Sequence, residues 1–242
     1  MSRGQPDYGQ YAPKSTTGSM SDLGELASRL NSIVTYDKRG EVVELDDFES
    51  PLLNWQKAVD SASSYCRHTS DYVKRGSQSV LLHVWNGAAA YALIFRQTHI
   101  LNSNRLGIEI SFSYSSTTMG LVFQFSPATN DKRYYFIIKI DTSDKAVYAK
   151  NSSNVYELIA TAHSLEDAIY VFHNIKFVID LENEKYVRLL LNNIEYDISA
   201  ISPYYLPELT LRDIFIQLQI TPKAAIGGDV RMDNYILTQE EP

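Results

Sequence analysis

The sequence predicts an all-β protein, with two antiparallel sheets packed face to face behind an extended N-terminal arm and one short amphipathic helix. Two observations carry this expectation. Apolar and polar residues alternate at the period of a pleated strand, so that Ile108, Ile110, Phe112 and Tyr114 share one face, as do Ile175, Phe177 and Ile179. Short turn signals separate these runs. Asn192-Asn193 divides LLL from IEYDI with residues that tolerate a left-handed backbone, and the polar stretches of IDTSDKAVY and IDLENEKYV read as hairpin loops. So many half-buried strands imply a sandwich.

Residues 1–18 hold Gly4, Pro6, Gly9, Pro13 and Gly18 among polar residues, with no helical or strand period, and read as an arm. Its tyrosines, Tyr8 and Tyr11, offer contact area to a neighbouring subunit. Residues 19–41 form a lead-in. In SDLGELASRLNSI, Leu23, Leu26, Ala27 and Leu30 recur at helical spacing behind the D-x-x-E start signal of Asp22 and Glu25, while Gly24 weakens the helix as a free-standing element. VTYDKRGEVVEL then reads as strand, turn and strand, with Gly40 in the positive-φ position. The domain proper is expected over 42–242. Its strands are expected at 42–48, 79–84, 91–95, 106–114, 120–125, 134–141, 146–149, 155–159, 169–181, 186–191, 194–197, 211–220 and 230–238.

Composition excludes several functions. Twenty-two Lys and Arg against 29 Asp and Glu leave a net charge of −7 with no basic run, which argues against a nucleic-acid partner. The single cysteine, Cys66, forbids an intrachain disulfide and a cysteine-based zinc cluster. No secretory h-region and no membrane span are expected. The five histidines show no H-E-x-x-H spacing, and no G-x-S-x-G, Walker or dinucleotide fingerprint occurs.

DDFES at 46–50 followed by Trp55, YVKRGSQSVLLHV at 72–84 and VRMDNYIL at 230–237 resemble, in order and spacing, the opening, second and closing strands of a carbohydrate-binding-module jelly roll of the concanavalin A-like or galactose-binding-like kind. That resemblance implies a structural calcium held by the opening acidic strand and the closing-strand aspartate, here Asp46, Asp47, Glu49 and Asp233 with a loop carbonyl. The alternative is an acidic strand edge that discourages edge-to-edge pairing. The resemblance also implies exposed rings for stacking on sugars, and Trp55, Trp85, Tyr91, Tyr204 and Tyr205 are the candidates. The same rings serve equally well as packing or interface residues.

Glu44, Asp46 and Glu49 also follow the E-x-D-x-x-E order of laminarinase-type retaining β-glucanases, whose two carboxyl groups stand about 5–5.5 Å apart. On a regular strand Glu44 and Asp46 face one way and Glu49 the other, and Phe48 is expected to anchor the core. The stretch sits in the first strand rather than mid-domain, so the protein is expected to be non-enzymatic. Two functional readings remain. In one, the protein is a structural component of a multi-subunit assembly, a virion or particle surface, as a homo-oligomer or with other subunits contacted through Tyr8, Tyr11, Leu23, Leu26 and Leu30. In the other, it is a carbohydrate-binding module.

Overall fold

The computed structural model describes residues 36–37, 39–50, 52, 54–60, 62–87, 90–99, 101, 104–115, 119–129, 131–161, 165–208, 212–223 and 226–242. The expected arm and amphipathic helix, with Tyr8, Tyr11, Leu23, Leu26 and Leu30, lie outside the described residues. The regular elements that remain are all strands: β1 (Glu41–Asp46), β2 (Gln56–Val59), β3 (Tyr65–Thr69), β4 (Ser79–Val84), β5 (Ala92–His99), β6 (Arg105–Tyr114), β7 (Met119–Pro127), β8 (Lys132–Asp141), β9 (Ala146–Lys150), β10 (Tyr156–Thr161), β11 (His173–Asp180), β12 (Lys185–Leu191), β13 (Ile194–Asp197), β14 (Tyr204–Pro207), β15 (Asp213–Pro222) and β16 (Gly228–Gln239).

They form two eight-stranded antiparallel sheets. Sheet A runs β13-β12-β11-β6-β16-β4-β3, and sheet B runs β10-β9-β8-β7-β15-β5-β2. Two strands lie off these paths for one reason: a long strand can serve two short neighbours on the same flank. The first part of β16 pairs with β4 through Gly228–Met232. Its second part pairs with β1, from Tyr235↔Asp46 to Gln239↔Glu41. The hand-over coincides with a register shift between Asp233 and Ile236, where Asn234 takes a φ of 53°. Likewise β8 pairs with β14 through Lys132–Tyr135 and with β9 through Ile138–Asp141.

The expected alternation builds the core. In β15, Ile214, Ile216, Leu218 and Ile220 are buried, and in β6 Ile108, Ile110, Phe112 and Tyr114 point the same way. Rings from the two sheets meet between them: Phe112 with Phe123 at 5.4 Å, Phe125 with Phe177 at 6.3 Å, and Phe136 with Tyr186 at 5.0 Å. The buried Tyr186 hydroxyl needs partners there, and finds them in the carbonyls of Lys150 at 3.0 Å and Ile137 at 3.3 Å.

Over β6, β11 and β12 the other face of sheet A is buried as well, and much of it is polar. Lys176 and Glu241 have fully covered side chains 2.7 Å apart, and Lys176 also reaches Asp37 at 3.2 Å. Glu241 takes Arg188 Nη2 at 2.5 Å and the Thr238 hydroxyl at 2.5 Å. Room for this network depends on glycine, because a Cβ on Gly107 would stand 2.5 Å from Thr238 Oγ1. Tyr36, Asp37 and Arg39 also lie on this face. The backbone N–H of Tyr36 donates to Glu109 at 2.5 Å, and Lys176 donates to the Arg39 carbonyl at 2.9 Å. Tyr36 is therefore a bend rather than part of the expected strand, while Asp37 is a bend where the turn was expected and Gly40 takes the positive φ, 79°.

Candidate functional site

The acidic opening stretch is a clasp. Arg96, on the inner face of β5 and only 7% exposed, packs its guanidinium against the rings of both Trp55 (5.2 Å) and Tyr235 (5.4 Å), which meet edge-on. It pairs with Glu44 and lies 4.0 Å from Asp46. Asp46 accepts from Trp55 Nε1 at 2.9 Å and from the Phe48 N–H at 2.8 Å, which holds Phe48 at a φ of 56° with its ring fully buried. Glu49 faces elsewhere. It accepts from the Ser77 N–H at 2.7 Å, the Ser77 hydroxyl at 2.6 Å and the Gln78 N–H at 3.0 Å. Burial raises its carboxyl, but these Ser77 and Gln78 donors outweigh that effect and lower it.

Protein donors engage the expected calcium ligands. Asp47 accepts from the Glu49 N–H at 3.2 Å, and Asp233 accepts from the N–H groups of Lys74 at 3.0 Å and Arg75 at 3.2 Å. Among the described residues no three His, Cys, Asp or Glu side chains are grouped to hold a metal ion. Glu49 and Asp233 both accept from the stretch 74–78, while Asp46 and Asp47 accept from Phe48, Glu49 and Trp55.

Sheet B turns a different surface outward. Because partners across an antiparallel pair share a face, the registers place Phe95 beside Gln217 and Gln217 beside Gln124. The neighbouring rows are Gln97–Phe215–Ser126 and Leu93–Gln219–Val122. Phe95 and Phe215 rings lie 5.5 Å apart. Tyr135 and Tyr204, paired across β8 and β14, lie 5.8 Å apart on this same face. Gln217 donates to Gln219 at 2.7 Å, and Gln124 to Ser126 at 2.9 Å. Two carboxylates at the margins of these rows are engaged. Asp213 holds Arg133 at 2.6 Å and Gln97 at 3.0 Å. Asp141 holds Lys223 at 2.9 Å; burial raises its carboxyl, yet Ser143 and Lys223 bring it below its ordinary value.

No protein-family model matches the chain, and no curated protein matches it. Solved structures do. An endo-β-1,4-glucuronan lyase from Trichoderma reesei superposes with a TM-score of 0.54 at 9% identity, over 82% of this chain and 96% of that one. The laminarinase catalytic domain from Thermotoga petrophila gives 0.53 at 8% identity, over 84% and 99%. A Bacteroides ovatus mixed-linkage-glucan GH16 in complex with a product gives 0.52 at 10% identity, over 81% and 100%. The fold is concanavalin A-like. At these identities the likeness is one of architecture alone.

In this concanavalin A-like sandwich the five expected sugar-stacking rings scatter. Trp55 is 4% exposed and committed to Asp46 and Arg96, which corrects its assignment: its ring is a core element and its N–H is satisfied internally. Tyr204 lies on the outer face of sheet B, and Tyr205, 46% exposed, sits beneath Lys132 at 4.6 Å. Tyr91 is half-buried, and Trp85 is exposed at the end of β4 on sheet A. Phe95, Phe215, Tyr135, Gln124, Gln217 and Gln219 were not expected as site residues. The outward F-x-Q-x-Q of DIFIQLQI is the signal that points to three of them. Cys66 is buried and its thiol is pushed up to about 11 by that burial, the opposite of an activated nucleophile.

Asp233 yields a pH prediction. Its carboxyl is fully buried, and that burial raises it to about 6 against the opposing donors of Arg75, Lys74 and Asn234. A carboxyl that binds its proton more tightly when folded stabilises the fold below its unfolded value, and the contribution is lost as pH rises through the folded one. The unfolding free energy of wild type relative to Asp233→Asn is expected to fall by on the order of 2 kcal/mol between pH 4 and pH 7. Urea denaturation across that range measures it, and a flat difference would contradict it.

Proposed function

We propose that the sandwich is a non-enzymatic carbohydrate-recognition domain that takes a neutral glycan along the outer face of sheet B. The observation that supports this most is the composition of its central rows: Gln124, Gln217 and Gln219 interleaved with Phe95 and Phe215, and Tyr135 and Tyr204 alongside. An amide presents a donor and an acceptor side by side, as a pair of sugar hydroxyls does, and an aromatic face accepts the C–H face of a pyranose. Glycoside hydrolysis needs two carboxyl groups, about 5–5.5 Å apart for retention or 6.5–9.5 Å for inversion. The central rows carry amides and rings, not a carboxyl pair.

The names of the structurally similar proteins guide the choice of probe, so β-1,3-glucan and mixed-linkage glucan oligosaccharides are tried first. Isothermal titration is expected to give binding that weakens about tenfold in Phe215→Ala and in Gln217→Ala, the loss of roughly 1.4 kcal/mol. A reducing-end assay is expected to show no cleavage. Unchanged affinity in both variants, or release of product, would defeat the proposal.

A further inference from the structure

A second surface, on the outer face of sheet A, has its own chemistry. Tyr65 of β3 and His83 of β4 stand directly opposite in register, and their rings stack at 4.7 Å with only 19° between planes. The His83 ring lies 6.5 Å from Trp85. On the other side of Tyr65, the Arg67 guanidinium sits over the ring at 4.9 Å. The result is a continuous ladder of Arg67, Tyr65, His83 and Trp85. Asp229, opposite His83 on β16, fixes the imidazole through Nδ1 at 2.7 Å and is itself anchored by the Ser115 hydroxyl, which accepts its N–H at 3.1 Å. Trp85 is 51% exposed and Tyr65 37%. The Trp85 N–H donates to Ser64 Oγ at 3.1 Å, so the backbone that carries the exposed indole is held.

We infer that this ladder is a binding site for an acidic saccharide, with Arg67 receiving the sugar carboxylate and Trp85 and Tyr65 receiving pyranose faces. Charge complementarity names the occupant. Arg67 makes no hydrogen bond or ion pair among the described residues, so its fork of donors, over the Tyr65 ring, is left open to a carboxylate. Asp229, the carboxylate beside His83, is already taken by that ring. An added peptide strand is the other occupant such a surface suggests, but the edge of β3 is obstructed. Lys57 of sheet B donates to the Cys66 carbonyl at 3.2 Å, placing a charge where a strand would pair. What remains open is the face, with its rings and guanidinium.

This inference does not rest on the sheet B reading, and one titration separates them. The full chain is titrated with a glucuronic acid oligosaccharide and with its neutral glucose counterpart, in wild type, Arg67→Gln, Trp85→Ala and Phe215→Ala. Arg67→Gln and Trp85→Ala are expected to weaken the acidic oligosaccharide at least tenfold and to leave the neutral one unchanged, while Phe215→Ala leaves the acidic one unchanged. Raising the salt concentration is expected to weaken the acidic ligand alone. Both changed residues are exposed, so thermal melting should match wild type. No binding of the acidic oligosaccharide, equal binding by Arg67→Gln, or Trp85-dependent self-association in its place would each overturn the inference.

Discussion

Glu241→Ala is expected to cost the fold about 3–5 kcal/mol, the loss seen when one partner of a buried ion pair is removed and the other stays. Glu241 is fully buried and joins Lys176, Arg188 and Thr238. Without it, Lys176 and Arg188 share Asp37, which is 3.2 Å from the first and 4.0 Å from the second. Burial raises the Asp37 carboxyl, but hydrogen bonds from Arg39 and the charge of Lys176 lower it overall, so it is ionised at neutral pH and still serves as a counter-ion. Glu109, opposite Lys176 in register, and Asp37 still face Lys176, so the loss falls mainly on Arg188, whose carboxylate contact at 2.5 Å is gone. Urea denaturation measures the loss, and Glu241→Gln, which keeps acceptors but not charge, is expected to fall between the two. A change under 1 kcal/mol would mean that water enters the network.

Arg96→Met is the second large effect, expected at about 2–3 kcal/mol. Methionine keeps most of the volume against Trp55 and Tyr235 but leaves Glu44 and Asp46 facing the core without a cation. The expected cost is at the lower end because these two carboxylates are 25% and 22% exposed and can turn toward water. Relief of that repulsion moves β1, so Trp55 fluorescence is expected to shift to the red before global unfolding. Unchanged fluorescence and stability would show that the clasp is carried by the rings alone.

The sheets were legible wherever alternation reports burial. β4 and β13 match the expected 79–84 and 194–197, and β6, β8, β12, β15 and β16 differ only at their ends. Three strands were not legible. β3 reads YCRHT, whose inward residues are Cys66 and His68, so it carries no aliphatic period. β2 and β14 are four residues each and mostly exposed, and β14 ends in a proline. The acidic strand showed its charge but not its use. Nothing local says that Arg96, a buried residue in a separate strand, consumes Glu44 and Asp46, or that the Trp55 N–H turns back to Asp46. Aromatic content was therefore a weaker guide than facing. Trp55 was a conspicuous residue that lies in the core, while Gln124 and Gln217 were inconspicuous ones that register sets side by side.

The most direct test of the central claim is to map side-chain amide resonances during titration with a neutral mixed-linkage glucan oligosaccharide. The account predicts saturable shifts of the Gln124, Gln217 and Gln219 amides and of the Phe215 ring, with the Trp55 indole unmoved. Shifts centred on Glu44, Asp46 and Trp55, or no saturable shift on the outer face of sheet B, would contradict it.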